Sequence, residues 1–242
     1  LTLRLRWFQQ TMPENKKSFL AKILFSFLLV FNLNAQTPNF DETIYIHIWS
    51  ELDAYPELAE AQNTESGIFD YSSKRLKDTA PFLINGMVYG WNFVYTPYDK
   101  TRGVKEYLEI SPVNQINQKE SPITYENPWI QDNLIHIWTK YERTKSQVKS
   151  FRAWKTINTQ KTQGTGTAPV KTGFEGISEA TKNAIRDGIR SFYRPIIKNK
   201  PKEISGRIII AKEPKIGITQ GQYSVKLDFF LETDRIIKYT MF

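Results

Sequence analysis

Two histidines occur in the chain, His47 and His136, and both stand in the same frame: Ile46-His47-Ile48-Trp49 and Ile135-His136-Ile137-Trp138. Each frame continues through a hydroxyl residue to an acid, giving octads that end at Asp53 and Glu142. Imidazoles brought together by such a repeat could pass protons or ligate a metal. A metal would need Asp53 or Glu142 as further ligands, and no His-Glu-x-x-His spacing fixes them, so no metal and no cofactor is expected. The plainer role is a half-buried strand histidine with one hydrogen bond, repeated because its strand is repeated.

Aromatic residues recur at period two in Tyr89, Trp91, Phe93 and Tyr95. Such a row could stack sugar rings or a peptide, or it could be the face of a sheet covered by helices, which is the commoner use. With the octads, the candidate ligand-binding residues are His47, Trp49, His136, Trp138, Tyr89, Trp91 and Tyr95. Lys182, Arg186, Arg190, Arg194 and Lys198 recur every fourth residue opposite an apolar helical stripe. They form a candidate anion-binding face for lipid headgroups or acidic glycans, or else a solvated face with Glu179 and Asp187 interspersed. The stretch from Gly164 to Thr172 lacks the glycine before its lysine that a phosphate loop needs, and reads as loop. No Gly-x-Ser-x-Gly elbow is present, so no catalytic residue is assigned. Paired carboxylates for glycoside cleavage depend on the fold rather than on spacing and stay open.

The elements that would position these residues follow from periodicity. Ile44, Ile46 and Ile48 alternate with Tyr45, His47 and Trp49, as a strand does, and Leu134 to Tyr141 repeats the pattern. Leu76, Ala80, Leu83 and Met87 predict a helix, kinked at Pro81 or restarting there with Asp78 or Thr79 as cap. Beyond Gly86 the aromatic row predicts a strand, returned by a longer turn into a second strand from Val104 to Ile110. Ser111 to Pro128 reads as a connection. Val148, Phe151 and Trp154 predict a short helix or an extension of the preceding strand. Gln160 to Gly176 reads as an exposed loop. A long helix is expected from Ile177 to about Arg194, capped by Ser178 and ended by Pro195. Strands are expected at Ile208 to Ile210, Tyr223 to Glu232 and Arg235 to Phe242.

In order, each half shows the Ile-His-Ile-Trp strand, a helix with a late proline, an Ile-x-Gly entry (Ile84-Asn85-Gly86, Ile204-Ser205-Gly206) and a Thr-x-Gly turn (Thr101-Arg102-Gly103, Thr219-Gln220-Gly221). The expected fold is therefore α+β: two related β-α-β-β halves, residues 36–128 and 129–242, with antiparallel sheets covered by helices and the second half carrying an insertion. A membrane β-barrel needs at least eight strands, where about seven and several helices are predicted.

The compartment is read from the ends and the charge. Residues 1–11 are expected to be read-through upstream of a start at Met12. Residues 12–35 have the layout of an export signal: Lys16, Lys17 and Lys22, then apolar Ile23 to Phe31, then Asn32-Leu33-Asn34-Ala35 with cleavage near Ala35. The apolar run is far shorter than the roughly 20 residues that span a bilayer. The chain has no cysteine, which removes disulfides, thiolate chemistry and a lipoprotein cysteine. Of the formal charge of +8, Arg4, Arg6, Lys16, Lys17 and Lys22 against Glu14 supply half. The remaining basic bias is modest, and outside the cytoplasm nucleic acid is an improbable partner.

At Gly86-Met87-Val88-Tyr89-Gly90-Trp91, Arg102-Gly103-Val104-Lys105-Glu106-Tyr107 and Lys198-Asn199-Lys200-Pro201-Lys202-Glu203-Ile204, the chain resembles an exported protein family of spirochaetes, over nearly all of the mature chain. The resemblance implies envelope localisation and brings no activity or catalytic residue. The expected function is a non-catalytic binding or scaffolding role in the periplasm or outside the cell. Its partners would be an envelope protein or a second copy, with a glycan or anionic lipid surface as further possibilities. The alternative is an exported hydrolase acting on cell-wall glycan or peptide.

Overall fold

The two octads fold as strands β1 (Thr43–Glu51) and β5 (Leu134–Glu142), and they pair with each other. The computed structural model describes residues 39–53, 69–156 and 159–239. The stretches expected as read-through and export signal, residues 1–35, and the end of the expected strand at Phe242 lie outside these residues. From Phe40 onward the chain forms one compact unit. Its described residues carry three α-helices and nine strands in antiparallel sheets, an α+β fold.

One sheet has the order β1-β5-β4, with β4 spanning Thr124–Gln131. The other has the order β3-β2-β7-β9-β6: β3 (Tyr107–Pro112), β2 (Trp91–Thr96), β7 (Glu203–Ile210), β9 (Gln222–Ile237) and β6 (Gln160–Pro169), with β8 (Lys215–Thr219) also paired to β9. Helix α1 (Asp70–Val88) packs against β1, β5 and β7, and α3 (Phe174–Ile196) covers β6 and β9. Helix α2 (Lys145–Trp154) follows β5 and opens with a reciprocal cap between Thr144 and Gln147. The second sheet reads symmetrically about the β2/β7 seam, with the antiparallel pair β2–β3 on one side and β7–β9 on the other.

Several elements differ from the sequence reading, each for a local reason. Helix α1 is continuous through Pro81, whose unmet acceptor would be the carbonyl of exposed Lys77. It runs on to Val88, past Gly86, and Gly90 ends the turn with φ of 72°. Gly86 serves packing instead, since a Cβ there would sit 2.0 Å from the Trp91 ring. Tyr89 therefore stands at the helix end, and only Trp91, Phe93 and Tyr95 of the aromatic row lie on β2, all three buried. The Ile-x-Gly pair is helical at Ile84-Asn85-Gly86 and extended at Ile204-Ser205-Gly206. The expected connection Ser111 to Pro128 contains the start of β4, and the two expected last strands are the single strand β9. Helix α3 begins at Phe174 with Gly173 as its cap residue, so Ser178 lies inside it, and Pro195 falls in its last turn.

The largest departure is β6, expected as loop. Its alternate residues Gly164, Gly166 and Ala168 are buried, and they bring the strand backbone directly beneath α3. A Cβ at Gly166 would lie 2.2 Å from the Ala180 carbonyl oxygen and from the Ala184 nitrogen. Glycine is thus required by contact between two backbones rather than by a turn.

Arg143, just after β5, closes the other end of the core. It donates to the carbonyls of Phe40 at 2.6 Å and of Met87 at 2.7 Å, the latter in the last turn of α1, and lies 4.1 Å over the Phe151 ring. Burial pulls its pKa down to about 10. The guanidinium is held by carbonyl dipoles and an aromatic face, with the Asp41 carboxylate acting on it electrostatically.

The Gly166→Ala variant is expected to lose about 1 to 3 kcal/mol of stability by forcing α3 off β6. The control Gly217→Ala, with nothing within 4 Å of the new Cβ, should stay within about 0.5 kcal/mol. Urea unfolding of both variants checks this.

Candidate functional site

The β1–β5 register sets Ile48 opposite Ile137, with His47 opposite Trp138 and Trp49 opposite His136. Each residue of one octad is therefore exchanged with its counterpart in the other by a local two-fold axis through the Ile48/Ile137 pair. Strand alternation sends Ile44, Ile46, Ile48, Ile137, Thr139 and Tyr141 into the core. It leaves Tyr45, His47, Trp49, His136 and Trp138 half-buried on the opposite face.

On that face His47 Nε2 and His136 Nδ1 lie 3.0 Å apart in one hydrogen bond, with the imidazole rings near-parallel at 5.1 Å. Trp129 on β4, paired in register with His136, lies near-parallel to both imidazoles at 5.1 and 5.0 Å. Tyr45 stacks on Trp138 at 4.9 Å with only 3° between the planes. The result is a continuous imidazole–indole–phenol surface on one side of a three-stranded sheet. Such a surface offers large rigid contact area with polar handles.

The free edge of β1 is bound to the second sheet. The His47 backbone N–H donates to Glu213 Oε1 at 2.8 Å, and the Trp49 indole N–H donates to the Ile216 carbonyl at 3.2 Å. Between this edge and Thr79 and Ile177 lies a cavity of about 290 Å³. Trp49 is thus directed to the seam between sheets and stands apart from the stacked rings, 6.3 Å from Tyr223.

Burial and the nearby His136 lower the pKa of His47, and Glu213 opposes them. A hydrogen bond between two ring nitrogens needs one proton between them. A second proton would set two N–H groups against each other. Among the described residues no group of three or more His, Cys, Asp and Glu could hold a metal ion.

A family model matches residues 32–239 of the chain. The chain is also 26% identical over 204 residues to an uncharacterised protein of Treponema pallidum (strain Nichols), over 83% of each of the two chains. The chain belongs to this spirochaete family. No solved structure matches it. In this family member the matched span takes in every strand and helix described above.

Other sequence candidates are distributed elsewhere. Trp91 and Tyr95 are buried in the second sheet, and Tyr89 Oη accepts from Gln147 beneath α2. In the predicted basic row, Arg190 of α3 pairs with Glu106 and Arg186 approaches it at 4.0 Å, while Arg194, and Lys198 just beyond the helix, line with that pair a cavity at the helix end, apart from the imidazole–indole face. Lys182 lines none of these features. The sequence reading missed Tyr45, Trp129 and Glu213. Trp129 had a signal in Asp132-Asn133, both at positive φ, which form the tight hairpin turn from β4 into β5. Glu213 had none, because its contact spans 166 positions.

One buried polar group is closed to solvent. Tyr223 Oη donates to Glu51 at 2.6 Å and accepts from Arg75 at 3.1 Å, joining the end of β1 to α1 and β9. Burial and the Glu51 carboxylate push the phenol pKa upward. The trio is a structural tie.

The sign of the pH dependence follows from His47. Its folded pKa lies below its unfolded value near 6.5, so the unfolded chain binds more protons there. Its contribution is complete above that value and is lost as pH falls through the folded pKa. The urea midpoint is expected to drop as pH falls below about 6.5, and His47→Gln should flatten that drop. Equal drops in both proteins would contradict the assignment.

Proposed function

We propose that this is an exported envelope protein with a non-catalytic binding or scaffolding role, and that its contact surface is the imidazole–indole face with the strand β4 that completes it. The observation that carries this reading is the overhang of β4. Nearly all its residues are exposed on both faces, and it presents Tyr125, Trp129 at 36% and Ile130 at 55% exposure. Aromatic residues flanked by aliphatic ones, standing proud of the core, are the residue types that anchor protein partners. A protein partner therefore suits the surface better than a glycan or a lipid. Trp129 is fixed against two imidazoles, so little side-chain freedom is lost on contact.

Two parts of the reading rest on the sequence. Export and a periplasmic or secreted location rest on the three-part signal at residues 12–35 and on the lack of cysteine. No helix among the described residues is long and apolar enough to cross a membrane. The duplication of a β-α-β-β unit rests on the octads, and it draws support from their dyad pairing and from the symmetric order β3-β2-β7-β9.

The second reading, an exported hydrolase of cell-wall glycan or peptide, would use the groove that Glu42 and Glu142 both line. It is the weaker one, because Glu42 already pairs with Arg152 at 3.1 Å and Glu142 with Lys140 at 2.7 Å.

A photocrosslinker at position 130, introduced in the native host, is expected to capture one envelope protein or a second copy. Capture should be lost in Trp129→Ala and kept in Lys182→Ala. Capture indifferent to Trp129 would show that β4 is not the contact strand. Glycan or peptide hydrolysis lost in Glu42→Gln would favour the hydrolase.

A further inference from the structure

The C-terminal end of α3, the β2–β3 connection and the entry to β7 enclose a cavity of about 620 Å³. One of its walls is a hydrogen-bonded polar cluster. Glu106 accepts from Arg190 Nε at 2.8 Å and Nη2 at 2.5 Å, and from the Tyr95 hydroxyl at 2.6 Å. That carboxylate is fully engaged, and among the described residues it is the only acid lining the cavity.

Three more cations line the same space, Arg194, Lys198 and Lys200, and none has a carboxylate partner among the described residues. Lys200 Nζ stands 5.7 Å over the ring of Tyr98, which is 54% exposed. The remaining walls are apolar, formed by Tyr193, Ile197, Pro201 and the fully buried Ile204. The terminal carbonyls of α3 favour cations at Arg194 and Lys198. They account neither for Lys200, which lies farther along the segment that leaves the helix, nor for the apolar chamber lined by the same segment. Like charges around one mouth repel, and an anion held among them converts that repulsion to attraction. The arginine fork matches a carboxylate or phosphate head.

From this arrangement we infer that the cavity binds an amphiphilic anion. Arg194, Lys198 and Lys200 take the phosphate or carboxylate head, and Tyr98, Tyr193, Ile197 and Ile204 receive the apolar body. The volume falls in the roughly 300 to 1,000 Å³ range of small-molecule sites. The inference stands apart from the proposed contact face, since no residue of the imidazole–indole surface lines this cavity. The head chemistry could be met as a free amphiphile or as a lipid headgroup in a bilayer.

Isothermal titration of the purified protein with monomeric dodecyl phosphate, inorganic phosphate and dodecyl maltoside tests the site, beside co-sedimentation with phosphatidylglycerol and phosphatidylcholine vesicles. Dodecyl phosphate is expected to bind at least tenfold more tightly than either inorganic phosphate or the maltoside. The triple variant R194Q/K198Q/K200Q should lose that tenfold advantage, and R194K/K198R should keep it. Ile197→Ser should weaken dodecyl phosphate and leave inorganic phosphate unchanged. Thermal midpoints confirm that each variant is folded. Tighter retention on phosphatidylglycerol vesicles supports the site and identifies a bilayer headgroup, whereas tighter binding of the monomer supports it and identifies a free amphiphile. Equal binding of the neutral maltoside, undiminished binding by the triple variant, or no binding to dodecyl phosphate and to phosphatidylglycerol vesicles alike would overturn the inference.

Discussion

If β1 slid by one residue against β5, Ile44, Ile46 and Ile48 would turn outward and Tyr45, His47 and Trp49 would turn into the core. Three isoleucines with 2% exposure or less prevent that slip, since fully burying each aliphatic side chain is worth on the order of 1.5 to 3 kcal/mol. The register they fix has its centre at Ile48 and Ile137, and everything on the opposite face inherits it. It decides that the two imidazoles meet, that each histidine faces a tryptophan across the pair, and that Trp129 has two parallel rings to lie against. It also places the free edge of β1 where Glu213 and Ile216 can join the two sheets.

Packing elsewhere serves the same end by fixing the second sheet. The glycines of β6 let α3 rest on strand backbone, and this close contact carries the arginines of α3 toward Glu106. Arg143 holds the end of α1 and the chain before β1 to the exit of β5. The buried Glu51–Tyr223–Arg75 tie fixes the far end of β1. The imidazole–indole face thus stands on rigid elements, and little conformational freedom is left to lose there on binding.

How much of this was legible depended on burial. The octad strands, the two long helices and the β2–β3 hairpin were readable because their apolar residues recur at periods of two and 3.6. The aromatic row was legible as core, and Trp91, Phe93 and Tyr95 occupy it. Strand β4 was hidden by its exposure, by Pro128 and by the positive φ of Asn127 at its bulge, which remove the apolar alternation. Strand β6 was hidden because its buried residues are glycine and alanine, which carry no hydrophobic signal even though they recur at period two. At the site the histidines could be named from their repeat. Their ring-to-ring bond, the cover of Trp129 and the carboxylate of Glu213 come from strand order and from a contact between sheets, and no spacing records either.

The central claim is that the repeated octads pair about a dyad and so make the two histidines share one proton. It is tested most directly by nitrogen NMR of the protein labelled at histidine. Scalar coupling across the hydrogen bond between His47 Nε2 and His136 Nδ1 should be present at about pH 7.5 and vanish on acidification. Two imidazoles without coupling at any pH would contradict the pairing and, with it, the face built upon it.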